Sequence, residues 1–288
     1  MSRDRFETVF FEIARWVTIV VLLVLSLFPF YYMVLLSIRP IQAVLLSPGD
    51  VLPSVSEIST RAYGKVLRST DDGGQGFISF LQNSLFVAAI TVAVTLAAAI
   101  PGAYAIARLR FRGDKVVSLL FLSVYLFPPV VLAIPLFSFF TRAGLRGSLV
   151  ALAFVYIAQT LPVAVYMLRG YFATIPVSLE EAAVIDGCSR FNVIRRVSLP
   201  LAMPSVVATG LYVFMIAWNE FLFALLFLVE NRDHWTVPLG LSQLAGSIEI
   251  PTTTLMAGSV VITLPIIVIF FFAERALVEG LTAGAEKG

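Results

Sequence analysis

The sequence predicts an all-α membrane protein with six transmembrane helices, and three observations lead there. Of its 288 residues, 59% are hydrophobic and 13% charged, and the mean hydropathy is +0.94; a solvated domain needs more charge than that to cover its surface. Six apolar stretches, at about 16–38, 80–107, 116–140, 148–168, 205–228 and 254–273, reach the roughly 20 residues that cross a bilayer. The connections between them carry the Arg and Lys that the stretches lack.

Each stretch is expected to be a helix, because hydrocarbon offers no water to an unpaired backbone amide and the runs are too long and unalternating for barrel strands. Pro29, Pro101, Pro128, Pro129, Pro135, Pro162 and Pro265 fall inside them and are expected to kink helices rather than end them. The first stretch follows Arg3, Arg5 and Arg15, as a signal peptide would. It is too long for such a core and no small-residue cleavage site follows, so it reads as a retained span.

Orientation comes from the basic residues. The short connection holding Arg108, Arg110, Arg112 and Lys115 belongs on the cytoplasmic side, which puts both termini, the 169–204 loop and the 274–288 tail there. The outer segment 39–79, with Pro48, Gly49, Pro53, Gly73, Gly74 and Gly76, has a composition of turns rather than of a folded domain. No internal repeat is visible, so 1–288 reads as one membrane domain.

Several functions are excluded. A net charge of +2 with no basic face argues against a nucleic-acid partner. Cys188 is the single cysteine and His234 the single histidine, which leaves neither an internal disulfide nor a Cys/His metal set. No G-x-x-x-x-G-K-[ST] phosphate loop is present, so ATP hydrolysis by that route is not expected of this chain.

The most informative segment lies between the fourth and fifth stretches. In Ile175–Pro204, Ser178 followed by Glu181 has the spacing of a capping box. Leu179 to Asp186 then fits a two-turn helix with Gly187 as its stop. Ser189 can open a second helix through Arg190 to Ser198, which Pro200 helps to end. Small Ala182 and Ala183 beside acidic Glu180, Glu181 and Asp186 make this hairpin a docking surface in outline.

Glu181-Ala182-Ala183, then Asp186-Gly187, then Val197-Ser198-Leu199-Pro200 resembles the EAA loop of ATP-binding-cassette importer permeases. Val197 stands where that family usually has isoleucine, and Cys188 where it often has alanine. Asn83-Ser84, Tyr104 to Arg108, Trp218-Asn219-Glu220 and the Gly280 to Gly288 tail extend the resemblance to the smaller permease of carbohydrate importers of the maltose-uptake type. The resemblance implies a type I importer architecture with cytoplasmic EAA coupling helices, in the inner (cytoplasmic) membrane of a bacterium or archaeon. It implies a second permease subunit, an ATPase dimer that holds ATP and Mg, and an extracytoplasmic solute-binding protein, with no cofactor on this chain. It implies ATPase coupling through Glu180, Glu181, Ala182, Ala183, Asp186, Gly187, Leu199 and Pro200. A second ATPase contact follows at Gly280, Leu281, Thr282 and Gly284, where composition alone favours a frayed end.

The translocation path is less legible. Glu220 beside Asn219 is the clearest polar feature in an apolar stretch, and it either lines a cavity or bonds a neighbouring helix. Trp218 could stack on a sugar ring or pack in the core, and Asn83 could face the path or be structural. Glycerophosphate compounds and polyols remain alternatives to a di- or oligosaccharide. An ion-gradient-driven transporter is a more distant alternative, since neither repeated halves nor several midplane carboxylates are evident.

Overall fold

The computed structural model describes residues 3–53, 57–109, 113–247 and 250–285, and the regular elements among them are helical. Arg3–Ile38 (α1) is followed by two short helices, Ile41–Leu46 (α2) and Arg61–Leu67 (α3). Phe77–Arg108 (α4), Asp114–Leu126 (α5), Pro129–Arg142 (α6) and Leu149–Thr174 (α7) come next. Val177–Ile185 (α8) and Arg190–Val193 (α9) lead through a π-helical turn, Ile194–Ser198, and Leu199–Leu201 (α10) into Met203–Asn219 (α11). Leu222–Leu228 (α12), a 3-10 turn at Arg232–His234, Val237–Ala245 (α13) and Thr252–Ala285 (α14) follow.

Among the described residues four helical segments are long and apolar enough to cross a bilayer: Val9–Ile38, Phe77–Arg108, Leu149–Thr174 and Thr252–Arg275. The other two expected spans are interrupted, and each interruption has a local cause. Pro29, Pro101, Pro135, Pro162 and Pro265 lie within continuous helices, as expected. Pro128 and Pro129 do not. A proline disfavours helical angles in the residue before it, and two in succession leave both Phe127 (ψ 125°) and Pro128 (ψ 121°) extended, which ends α5 and lets Pro129 open α6. The fifth stretch breaks between α11 and α12, where Glu220 is extended (ψ 130°) with no proline nearby.

The helices fall into two compact units. In the first, Met1–Phe77 with Gln243–Val261, the described part of the segment after α1 is more ordered than its Gly and Pro content suggests. Arg39, at the end of α1, has a side chain only 1% exposed. Its guanidinium donates to the carbonyls of Asp50 at 3.0 Å and Ser47 at 3.4 Å and faces the Glu57 carboxylate at 3.5 Å. The segment folds α2 and its following turn around that buried charge.

In the second unit, Ile78–Ser242 with Ile262–Gly288, two apolar cores lie along the helices. One gathers Val87, Leu152, Tyr156, Trp218, Phe223 and Leu228. The other gathers Ala99, Ala103, Tyr104, Leu168, Phe172 and Val206, with Ile194 and Leu199 packed against it. The second core therefore reaches from the membrane-length helices into the short helices after α7.

Candidate functional site

Ile175 is extended because Pro176 follows it, and Pro176 itself serves as the N-cap of α8. The helix thus starts at Val177, two residues earlier than the capping box requires. Ser178 lies exposed inside α8, and no side chain caps its start; the expected Ser178–Glu181 box does not form. The stop is as expected. Gly187 takes φ +86°, a left-handed conformation that costs glycine little. Its N–H bonds the Val184 carbonyl while that of Cys188 reaches Ala183, the paired bonds of a Schellman ending. Ser189 caps α9 by accepting the Asn192 N–H at 3.4 Å.

Pro200 does not end the second helix. It sits in the first turn of α10, where its missing N–H is tolerated, and the chain runs on to Leu201 before bending 77° into α11. Leu199 is half-buried and Pro200 exposed.

The side chains of α8 divide into two sets. Glu181, Ala182, Val184, Ile185 and Asp186 are exposed, Ile185 at 85%. Glu180 is buried. Its Oε1 accepts from Arg108 Nε at 3.1 Å and Ser198 Oγ at 2.9 Å, and its Oε2 accepts from Tyr104 Oη at 3.0 Å. Arg108 Nη2 donates in turn to the Ile175 carbonyl at 2.5 Å. The pair also sits where helix dipoles favour it, the carboxylate in the first turn of α8 and the guanidinium in the last turn of α4. Both side chains are 10% exposed, so removing one partner would leave a poorly solvated charge, at a cost of about 3–5 kcal/mol. Beside this network lies a cleft of about 780 Å³ between the end of α4 and α8–α9.

Spacing alone grouped Glu180 with the docking residues, and the structure turns it inward instead. Of its three side-chain donors, Ser198 belongs to the loop motif, while Tyr104 and Arg108 lie on α4, outside the loop. A basic residue in the last turn of α4 was the available signal, and it gave no indication of its partner.

All four polar or aromatic residues considered for a solute path hydrogen-bond within the chain. Asn83 Nδ2 donates to the carbonyls of Asp233 at 2.7 Å and Trp235 at 3.0 Å. Trp218 is fully buried, stacks on Phe214 and donates to the Ile262 carbonyl at 3.2 Å. Glu220 accepts from Tyr156 Oη at 2.6 Å and from the backbone N–H groups of Phe223 and Ala224, which caps α12. Asn219 is exposed, its amide donating to the Met215 carbonyl one turn back. In the tail, Gly280, Leu281, Thr282 and Gly284 continue α14 as backbone, while their side chains and residues 286–288 lie outside the described part.

Long apolar helices joined at one end by a charged, partly apolar helical hairpin define a multi-pass membrane component. The chain belongs to the family of binding-protein-dependent transport system inner membrane components, whose model matches residues 99–282. It is 36% identical over 266 residues to the inner membrane ABC transporter permease protein YcjP of Escherichia coli, covering 92% of this chain and 93% of that one. It is 35% identical over 270 residues to the trehalose/maltose transport system permease protein MalG of Thermococcus litoralis, covering 93% and 94%. Among solved structures, a chain of a bacterial ABC transporter that imports the acidic polysaccharide alginate superposes with a TM-score of 0.76 at 22% identity, covering 96% of this chain and 98% of that one. These relatives place the all-helical fold among importer permeases.

Proposed function

We propose that this chain is the translocating subunit of an ATP-driven carbohydrate importer, worked by a separate ATPase that docks on α8. The observation that carries the reading is the outward face of α8, where Val184 (53% exposed) and Ile185 (85%) stand beside exposed Glu181 and Asp186. An apolar patch rimmed by carboxylates, outside any membrane-length helix, is the composition of a protein-binding surface. Family membership supplies the partner class, and the trehalose/maltose relative supports a sugar as solute.

In this reading α5 with α6 forms one crossing and α11 with α12 another, which added to the four long helices makes six. Both termini and α8 face the cytoplasm, as the Arg108 connection implies. A second permease subunit completes the pathway, a solute-binding protein delivers the sugar, and the end of α14 gives the ATPase dimer, with its ATP and Mg, a further contact. ATP-driven closure of that dimer would carry α8 with it and rock the permease pair between two facing states.

The test is uptake into proteoliposomes by the complex purified through this chain, with radiolabelled trehalose and maltose as first probes and glycerophosphate compounds and polyols after them. Vanadate-sensitive uptake that requires ATP is the expected result. Uptake that follows an ion gradient without ATP would contradict the proposal.

A further inference from the structure

We infer that Glu180 is the joint that delivers movement of α8 to the membrane helices, a positioning residue rather than part of the docking surface. This rests on the proposal that an ATPase docks on α8, and it goes beyond it by assigning the transmission to a named contact.

Three elements meet at this one carboxylate. Arg108 and Tyr104 bring the end of α4, one turn apart on the same helix face. Ser198 brings the last residue of the π-helical turn, which leads through α10 to the 77° bend into α11. Arg108 also holds the Ile175 carbonyl, fixing the extended entry from α7 into α8. Three hydrogen bonds thus tie α8 to the end of α4 and to the π-helical turn, and a fourth ties the end of α4 to the end of α7. Both carboxylate oxygens are used, so Glu180 has little freedom to follow α8 without its partners following as well. Glu181, next in sequence, is exposed and has no such hold. Neighbouring residues therefore serve the two separate tasks, one facing the partner and the other facing the bundle. A π-helical turn breaks the regular ladder at the point where this load would arrive, in keeping with the frequent placement of such turns at functional sites.

The experiment uses the complex purified through this chain, with Cys188→Ser and Leu145→Cys labelled by an environment-sensitive thiol fluorophore. Leu145 is exposed in the turn before α7, at the opposite end of that helix from α8. Background from partner cysteines is subtracted with the complex that carries Cys188→Ser alone. Addition of Mg-ATP and vanadate is expected to change the Leu145 signal in the otherwise native complex, and Glu180→Gln is expected to reduce that change at least about 5-fold, the lower range of a typical coupling between sites. Tyr104→Phe, which removes a single O–H, is expected to give a smaller reduction in the same direction and decides the question if Glu180→Gln does not assemble. A full-sized response in an assembled Glu180→Gln complex, or in Tyr104→Phe where the former does not assemble, overturns the joint alone. Lower thermal stability with an undiminished response would mark Glu180 as merely structural and overturn it too. A native complex that ignores ATP overturns the ATP-driven reading and the joint with it.

Discussion

Tyr156, on α7, donates its hydroxyl to Glu220 at 2.6 Å across the break between α11 and α12. The same carboxylate accepts the Phe223 N–H at 2.9 Å and the Ala224 N–H at 3.2 Å. One acidic side chain thus satisfies two backbone donors that a continuous helix would have paired, and anchors the break to a neighbouring helix. Within an apolar span those donors have few other partners.

Glu220→Ala removes all three bonds. It is expected to lower stability in detergent by about 2 kcal/mol or more, since each unmet buried donor costs roughly 1–3 kcal/mol. Glu220→Gln, which keeps an acceptor oxygen, is expected to recover a large part of that loss. Thermal unfolding midpoints of the two variants check this, and equal midpoints for Glu220→Ala and the native chain would refute the capping role.

Asn83 ties the start of α4 to the Asp233–Trp235 segment through two carbonyls. Asn83→Ala is expected to cost about 1 kcal/mol and to speed backbone hydrogen exchange at 231–236. Asn83→Asp should be worse, because it replaces the donating amide by an acceptor facing two further acceptors. If Asn83→Asp exchanges no faster than Asn83→Ala, the amide is not the tie.

Arg39 organises the segment that follows α1. Its carboxylate neighbours Asp50 and Glu57 remain 63% and 38% exposed, so they stay hydrated when it is removed. The loss on Arg39→Ala is then chiefly its bonds to carbonyls, about 2 kcal/mol at charged-donor strength. Arg39→Lys restores the charge but not the planar fork, and is expected to rescue only part. Limited proteolysis between α2 and α3 reads the effect; full protection by lysine would show that charge alone suffices.

The membrane class was legible because it rests on sums over many residues: apolar length and charge deficit survive any local irregularity. The hairpin's stop at Gly187 and the Ser189 cap were legible because each is decided within a few residues. The two broken spans were not, for different reasons. The break before α6 is local, but it needs two consecutive prolines read together rather than singly. The break before α12 depends on Glu220 meeting Tyr156, 64 residues away in sequence. Distance also hid the placement of Glu180: spacing puts it beside Glu181, but its bonds to Tyr104, Arg108 and Ser198 turn it inward. The Ser178 box failed because Pro176 had already fixed the helix start.

The most direct test of the docking claim is whether the ATPase stays with the permease once the outward face of α8 is made polar. In complexes purified through this chain, Val184→Asp with Ile185→Asp is expected to lower ATPase recovery by about 10-fold or more, as loss of a central interface contact does. The permease itself should remain folded, because both side chains are exposed. Undiminished ATPase recovery with undiminished ATP-driven uptake would contradict the role given to α8.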